Sequence, residues 1–183
     1  MRKRLITLTL ITLVLILSAC SITMNETKPI DTSGTIEKIP VELIDIKDGD
    51  TIEILYNGGK TAIVRYLLID TPETSHPKLG KQPFGEEAKA RNKELLSSGK
   101  LTIEFDVGEQ IDKYGRILAY VYVDGKSVQE QLLREGLARV AYVYPPNTRY
   151  LSDFEKAQEE AKKKGIGIWS IQNYITDKGF NSK

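Results

Sequence analysis

Cysteine is nearly missing from this sequence. Cys20 is the single one in 183 residues, so no disulfide can close within the chain and the fold must stand on its core. Histidine is as scarce, with His76 alone, and the two residues together cannot supply a zinc set. A resident metal would therefore be a hard ion held by oxygen. Neither sign of charge is in excess: 26 Lys and Arg face 25 Asp and Glu, a formal net charge of +1. Residues 1–19 carry Arg2, Lys3 and Arg4 and no acid, so without them the balance becomes 23 to 25, or −2. That excludes a broad basic field, and phosphate could be gripped only by a few well-placed cations. Long apolar runs are lacking too, since Leu5 to Leu17 is too short for a stable spanning helix. What is there, 40% hydrophobic residues at a mean hydropathy of −0.29, suits one soluble globular domain plus tails.

The amino terminus has a basic region at Arg2–Arg4, the apolar stretch, and then the small residues Ser18 and Ala19 before Cys20. This is the layout of a secretory signal over residues 1–19. Leu17-Ser18-Ala19-Cys20 resembles a bacterial lipobox, which would make Cys20 the lipidation site and place the protein on the extracytoplasmic face of a bacterial membrane. A plain signal peptide, or a short anchor with an incidental cysteine, is the alternative. Residues 20–39, polar and without apolar periodicity, read as a flexible tether. A domain is expected over 40–172 and a flexible tail over 173–183.

Within the domain, Val41–Ile46 and Thr51–Tyr56 read as strands around the turn Lys47-Asp48-Gly49-Asp50. Asn57-Gly58-Gly59 leads into a third strand, Thr61–Ile69. A helix is predicted over Phe84–Ser97, with Glu86 and Glu87 in its first turn and Gly99 past its end. Strands follow at Leu101–Val107 and Ile117–Val123. Capping boxes at Ser127–Glu130 and Ser152–Glu155 open two more helices, and Trp169 packs the end of the chain onto the body. Tyr142–Tyr144 reads as a brief extended segment before Pro145 and Pro146. The fold class is α+β: a five-stranded OB-fold β-barrel with about three helices.

The chain is organised around Val64–Thr74, V-R-Y-L-L-I-D-T-P-E-T. Arg65 interrupts an apolar strand, and Asp70, Thr71, Pro72 and Glu73 follow its end. Pro72 restrains its own φ and that of Thr71, so the Thr71 carbonyl and the Asp70 carboxylate share a stiff backbone. Asp50, Asp70 and the Thr71 carbonyl on one barrel rim, with waters, would form an all-oxygen site for a calcium-like ion. Arg65 and Arg116 could fork onto a phosphate, and Glu73 could take a proton from a water. Tyr114, Tyr142 and Tyr144 offer rings for base stacking. Taken singly, each has a plainer reading: an ion-paired arginine, turn chemistry for Asp48-Gly49-Asp50, and half-buried strand tyrosines.

D-G-D-T at 48–51, R-Y-L-L-I-D-T-P-E-T at 65–74, D-K-Y-G-R-I-L-A-Y at 112–120, V-A-Y-V-Y at 140–144 and I-W-S at 168–170 together resemble the thermonuclease, or micrococcal nuclease, family. The resemblance spans about Pro40 to Ser170 and implies an OB-fold enzyme that uses Ca²⁺ to hydrolyse DNA and RNA to 3′-phosphate ends. It implies Asp50, Asp70 and Thr71 as calcium ligands and Arg65, Glu73 and Arg116 as the catalytic set. It further implies Lys113, Tyr114, Leu118, Tyr142 and Tyr144 as the substrate pocket. Pro145-Pro146 departs from the pattern, because the best-known members of that family carry a lysine before the proline. The partners implied are nucleic acid as substrate and a membrane through Cys20; no protein partner is implied, and a monomer is expected. A non-catalytic nucleic-acid-binding OB module and a lipid-anchored solute-binding protein are the competing readings.

Overall fold

The computed structural model describes residues 36–56, 58–75, 80–97 and 99–181. Cys20, the signal segment 1–19, the tether up to residue 35 and His76 lie outside them. The strands are β1 (Ile39–Pro40), β2 (Glu42–Asp48), β3 (Thr51–Tyr56), β4 (Lys60–Tyr66), β5 (Ile69–Asp70), β6 (Leu101–Glu104), β7 (Ile117–Val123), β8 (Lys126–Ser127), β9 (Arg139–Val140), β10 (Ile175–Thr176) and β11 (Gly179–Phe180). The helices are α1 (Gly85–Leu96), α2 (Val128–Arg134) and α3 (Leu151–Lys164), and a 3₁₀ turn spans Gly167–Ser170.

The main sheet runs β1-β6-β7-β4-β3-β2, with β8 added to β7. Its two edges are consecutive pieces of one strand, since only Val41 separates β1 from β2 and Val41 N–H donates to the Leu101 carbonyl at 3.2 Å. Register shifts between Leu43 and Asp45 and between Ile46 and Asp48 bend β2 toward this return. The parallel pair is β4 with β7, which no hairpin can supply, and α1 and β6 form part of the crossover between them. The architecture is the predicted OB-like α+β fold with three helices. Ile52, Ile54, Val64, Ile103, Ala119 and Val121 fill the sheet's inner side with no exposed surface, as period-two alternation requires.

Several local expectations are corrected. The third strand stops at Tyr66, because Leu68 turns the chain at φ 65° and delivers Ile69 and Asp70 to β9. Strand β6 ends at Glu104, short of Val107. At Ser127 the N-cap half of the box is formed, its hydroxyl accepting Glu130 N–H at 3.2 Å, while the Glu130 carboxylate turns to Arg134. The box at Ser152 is not: α3 begins at Leu151, and Tyr150 is its N-cap without a side-chain bond. Tyr142–Tyr144 forms no strand, and Tyr142 itself has φ 53°. Residues 175–180 of the expected loose tail make the β10–β11 hairpin, because Tyr174 and Phe180 bury their rings 5.4 Å apart against Ile168. Trp169 packs partly buried on that cluster, as expected.

Helix α1 faces the body through Ala88, Asn92 and Leu96, spaced four apart on one stripe. Asn92 links it to the sheet: its Oδ1 accepts from Tyr66 Oη at 2.9 Å, and its Nδ2 donates to the Asp48 carbonyl at 3.2 Å. Buried Gln129 on α2 performs the same task for β7, bonding Val121 N–H and the Ala119 carbonyl.

Candidate active site

Four carboxyls and two guanidiniums gather at the rim where β2, β4 and β5 end. Sheet register brings them there. Arg65 lies opposite Thr51 on β3 and Leu118 on β7, while β5 places Asp70 opposite Arg139. Arg65 Nη1 donates to the carbonyls of Tyr66 and Ile69, each at 2.9 Å. Its Nη2 sits between two acids, 3.2 Å from Asp50 Oδ2 and 3.4 Å from Asp70 Oδ1. Asp50 Oδ2 also accepts the Thr71 N–H at 2.9 Å and its hydroxyl at 3.1 Å. That approach explains Gly49: a Cβ there would lie 2.7 Å from Thr71 Oγ1.

Asp70 Oδ2 accepts two hydrogen bonds from Arg139, from Nε at 3.1 Å and Nη2 at 2.9 Å. Even so, burial and then the Asp50 charge hold the Asp70 carboxyl above the usual range, against the pull of both arginines. Burial, seconded by the Asp50 charge, also raises Asp48, against hydrogen bonds with Glu73 and the Gly49 and Thr74 backbone. Glu73 is pushed up to about 8 by burial of its carboxyl, then by its hydrogen bond with Asp48 and the charges of Asp48, Asp50 and Asp70. Burial is the first cause in all three cases, and beyond it, among the described residues, four carboxyls face only the guanidiniums of Arg65 and Arg139.

A hard divalent cation fits this deficit and this all-oxygen donor set. Among the described residues no three acidic, histidine or cysteine side chains converge as a ready cage. Asp50, Asp70 and the Thr71 carbonyl are the oxygen donors that would hold such an ion, although the Asp70 carboxylate faces Arg65 and Arg139.

Arg116 is held by Asp112: its backbone N–H donates to Oδ1 at 2.9 Å and its Nε to Oδ2 at 2.7 Å. Burial works against the Asp112 carboxylate, but these bonds and the Tyr114 N–H hold it below its usual range. Lys113 and Arg116 stand over the Tyr114 ring, 5.0 and 5.4 Å from its centre. A cleft of about 750 Å³ is lined by Arg65, Asp70, Glu73, Lys113, Tyr114 and Arg116, and equally by Leu118, Tyr142 and Tyr144. Asp50 and Thr71 lie buried behind it. The structure thus brings the predicted residues to one place. The tyrosines are not half-buried strand residues, for Tyr114, Tyr142 and Tyr144 expose 71%, 55% and 68% of their surface. Past them, Pro145-Pro146 is fastened through buried Asn147, whose Oδ1 accepts Gly108 N–H and whose Nδ2 donates to the Glu109 carbonyl.

Three functional neighbours escape the sequence reading. Asp48, explained there by turn chemistry, is tied to Glu73. Gln82 is buried and clamps the Glu73 backbone twice, accepting its N–H at 2.8 Å and donating to its carbonyl at 3.1 Å. Arg139 opens the two-residue strand opposite Asp70, and a cation set between Ala138 and Val140 was its one local signal.

Residues 63–171 match the family described as Staphylococcal nuclease homologue. The SPbeta prophage-derived endonuclease YokF of Bacillus subtilis (strain 168) is 61% identical over 145 residues, covering 76% of this chain and 49% of that protein. Endonuclease YncB of the same organism is 63% identical over 134 residues, covering 73% of this chain and 63% of the relative. Thermonuclease of Staphylococcus hyicus is 39% identical over 149 residues, covering 80% of this chain and 86% of the relative. The chain therefore spans about half the length of YokF and under two thirds of YncB.

Proposed function

The chain belongs to the staphylococcal nuclease homologue family, and from that premise we propose that it is a Ca²⁺-dependent endonuclease that hydrolyses DNA and RNA to products with 3′-phosphate ends. One observation carries the reading: Arg65, Glu73 and Arg116 line a single cleft with Asp70, in front of buried Asp50 and Thr71. Asp50, Asp70 and the Thr71 carbonyl would hold the calcium ion. Bound there, it would supply Lewis-acid charge for a phosphoryl oxygen and acidify a nearby water.

The chain's own groups do the rest. The planar forks of Arg65 and Arg116 match phosphoryl oxygens and offset the charge that grows on them in the transition state. Glu73, fixed by Gln82, receives the proton of the attacking water. The water oxygen bonds to phosphorus, and the bond from phosphorus to the 5′ oxygen breaks in line; that oxygen takes a proton from solvent and leaves as the 5′ hydroxyl, with the phosphate on the 3′ side. Exposed tyrosine rings accept any base face, which suits a sequence-tolerant enzyme.

Plasmid and RNA digestion with Ca²⁺, with Mg²⁺ and with a chelator tests this reading. Cleavage in Ca²⁺ alone, with 3′-phosphorylated ends, is expected; robust cleavage in Mg²⁺ and none in Ca²⁺ would overturn the metal assignment. The protein is further proposed to be displayed on the outer face of a bacterial membrane by lipid on Cys20, a reading supported by Leu17-Ser18-Ala19-Cys20. Cys20→Ala should then shift nuclease from the membrane fraction to the medium without loss of specific activity. Equal membrane retention would argue for an uncleaved anchor.

A further inference from the structure

Residues 172–183 lie beyond the stretch that matches the family. Yet the β10–β11 hairpin within them reaches the candidate active site from two directions. Phe180 is buried, and its ring centre lies 5.5 Å from the Arg139 guanidinium carbon. Arg139 in turn places two hydrogen bonds on Asp70 Oδ2. An aromatic face over a guanidinium shields it from water and limits the directions in which its planar fork can point. On the second path, Tyr174 Oη donates to the Pro83 carbonyl at 2.6 Å. The residue before Pro83 is Gln82, which grips Glu73 by both backbone groups. Phe84 packs on the same aromatic cluster, and Gly85 leaves no room for a Cβ, which would lie 2.6 Å from the Glu73 carbonyl oxygen.

We propose that Tyr174–Phe180 is a positioning clamp for the active site, acting on Asp70 through Arg139 and on Glu73 through Pro83 and Gln82. The proposal rests on the calcium-nuclease reading for its effect on activity, but the clamp itself is a property of the metal-free chain. Its two arms bear on different groups. The Phe180 arm should govern how well Asp70 is presented to a cation, since partners behind a ligand typically alter metal affinity about 10–100-fold. The Tyr174 arm should govern Glu73, and therefore turnover.

The test uses substitutions in the full chain that leave charge unchanged. Phe180→Ala and Arg139→Lys should each weaken Ca²⁺ binding by about tenfold in calorimetry. If Phe180 acts through Arg139, the double variant should bind Ca²⁺ no worse than Arg139→Lys alone. Tyr174→Phe keeps the ring and removes only the hydroxyl. It should leave Ca²⁺ affinity and KM within twofold while lowering kcat. Hydrogen exchange on the metal-free protein reads the same clamp without calcium: Thr71 N–H should exchange faster in Phe180→Ala, and Glu73 N–H in Tyr174→Phe. Unchanged exchange at both amides, or fully additive losses of affinity in the double variant, would overturn the proposal. A lowered melting temperature with unaltered Ca²⁺ affinity and kcat would do the same and return the hairpin to a purely structural role. Should the unsubstituted chain fail to bind Ca²⁺, the nuclease reading fails, and the exchange measurement still decides the clamp.

Discussion

Asp70 ends β5 and Glu73 stands three residues further on, and the two carboxyls have different neighbours. Asp70 is buried between two arginines, Arg65 on one oxygen and Arg139 on the other, and lines the cleft that the proposed metal would share. Glu73 lines the cleft, is held by its backbone, and shares a hydrogen bond with Asp48. Asp70→Ala should therefore weaken Ca²⁺ binding and, with it, the Ca²⁺-dependent affinity for a nucleotide bisphosphate. Glu73→Gln should keep most of that affinity and lose most turnover, the signature of a contact needed chiefly in the transition state. Calorimetry beside rates on single-stranded DNA measures both quantities. Parallel losses in the two variants would mean that the loop is one metal-holding unit.

At the scale of the element, the start of α1 acts as a stop against the Glu73 loop. Gly85 is buried, and an added Cβ would lie 2.6 Å from the Glu73 carbonyl oxygen and 2.8 Å from its carbon. These are backbone atoms and cannot swing aside as a long side chain could. Gly85→Ala should cost about 1–3 kcal/mol through overpacking. The loop should move rather than the helix, so kcat should fall more than Ca²⁺ affinity. Urea unfolding and steady-state rates check the two halves separately. The start of α3 shows why local capping signals misled. Ser152 has the right spacing, but Tyr150 Oη is fixed by buried Glu104 and the Tyr150 carbonyl already accepts the Phe154 N–H, so this tertiary contact begins the helix two residues earlier than a Ser152 cap would.

At the scale of the whole molecule, a polar network ties the sheet to the start of α3 without disulfide help. Glu104 has no exposed surface and accepts Arg149 Nη1 at 2.6 Å and Tyr150 Oη at 2.8 Å. Asp106 accepts Tyr120 Oη at 2.7 Å and the Arg149 N–H at 2.9 Å. Arg149→Met would leave a buried carboxylate facing an apolar chain and should cost about 3–5 kcal/mol in urea unfolding. Adding Glu104→Gln should recover a large part of that loss. A cost under about 1 kcal/mol would mark the pair as a surface-type ion pair after all.

The hairpins of β2, β3 and β4, the three helices and the candidate cleft residues named from their motifs were legible in the chain before any folding. Alternation in strands, turn glycines and the crowded chemistry of Val64–Thr74 are all local patterns, legible within a dozen residues. The sequence also carried the fold class, since a family's motifs in order constrain topology. What stands behind the site depends on contacts between distant segments. Asp70 meets Arg139 across 69 residues, and Tyr174 meets Pro83 across 91. Both contacts follow from how β5 pairs with β9 and how the last hairpin folds over its aromatic cluster. Such pairings depend on register and burial between distant segments, so an arginine before a valine, or a phenylalanine near the end of the chain, gives no local sign of its partner.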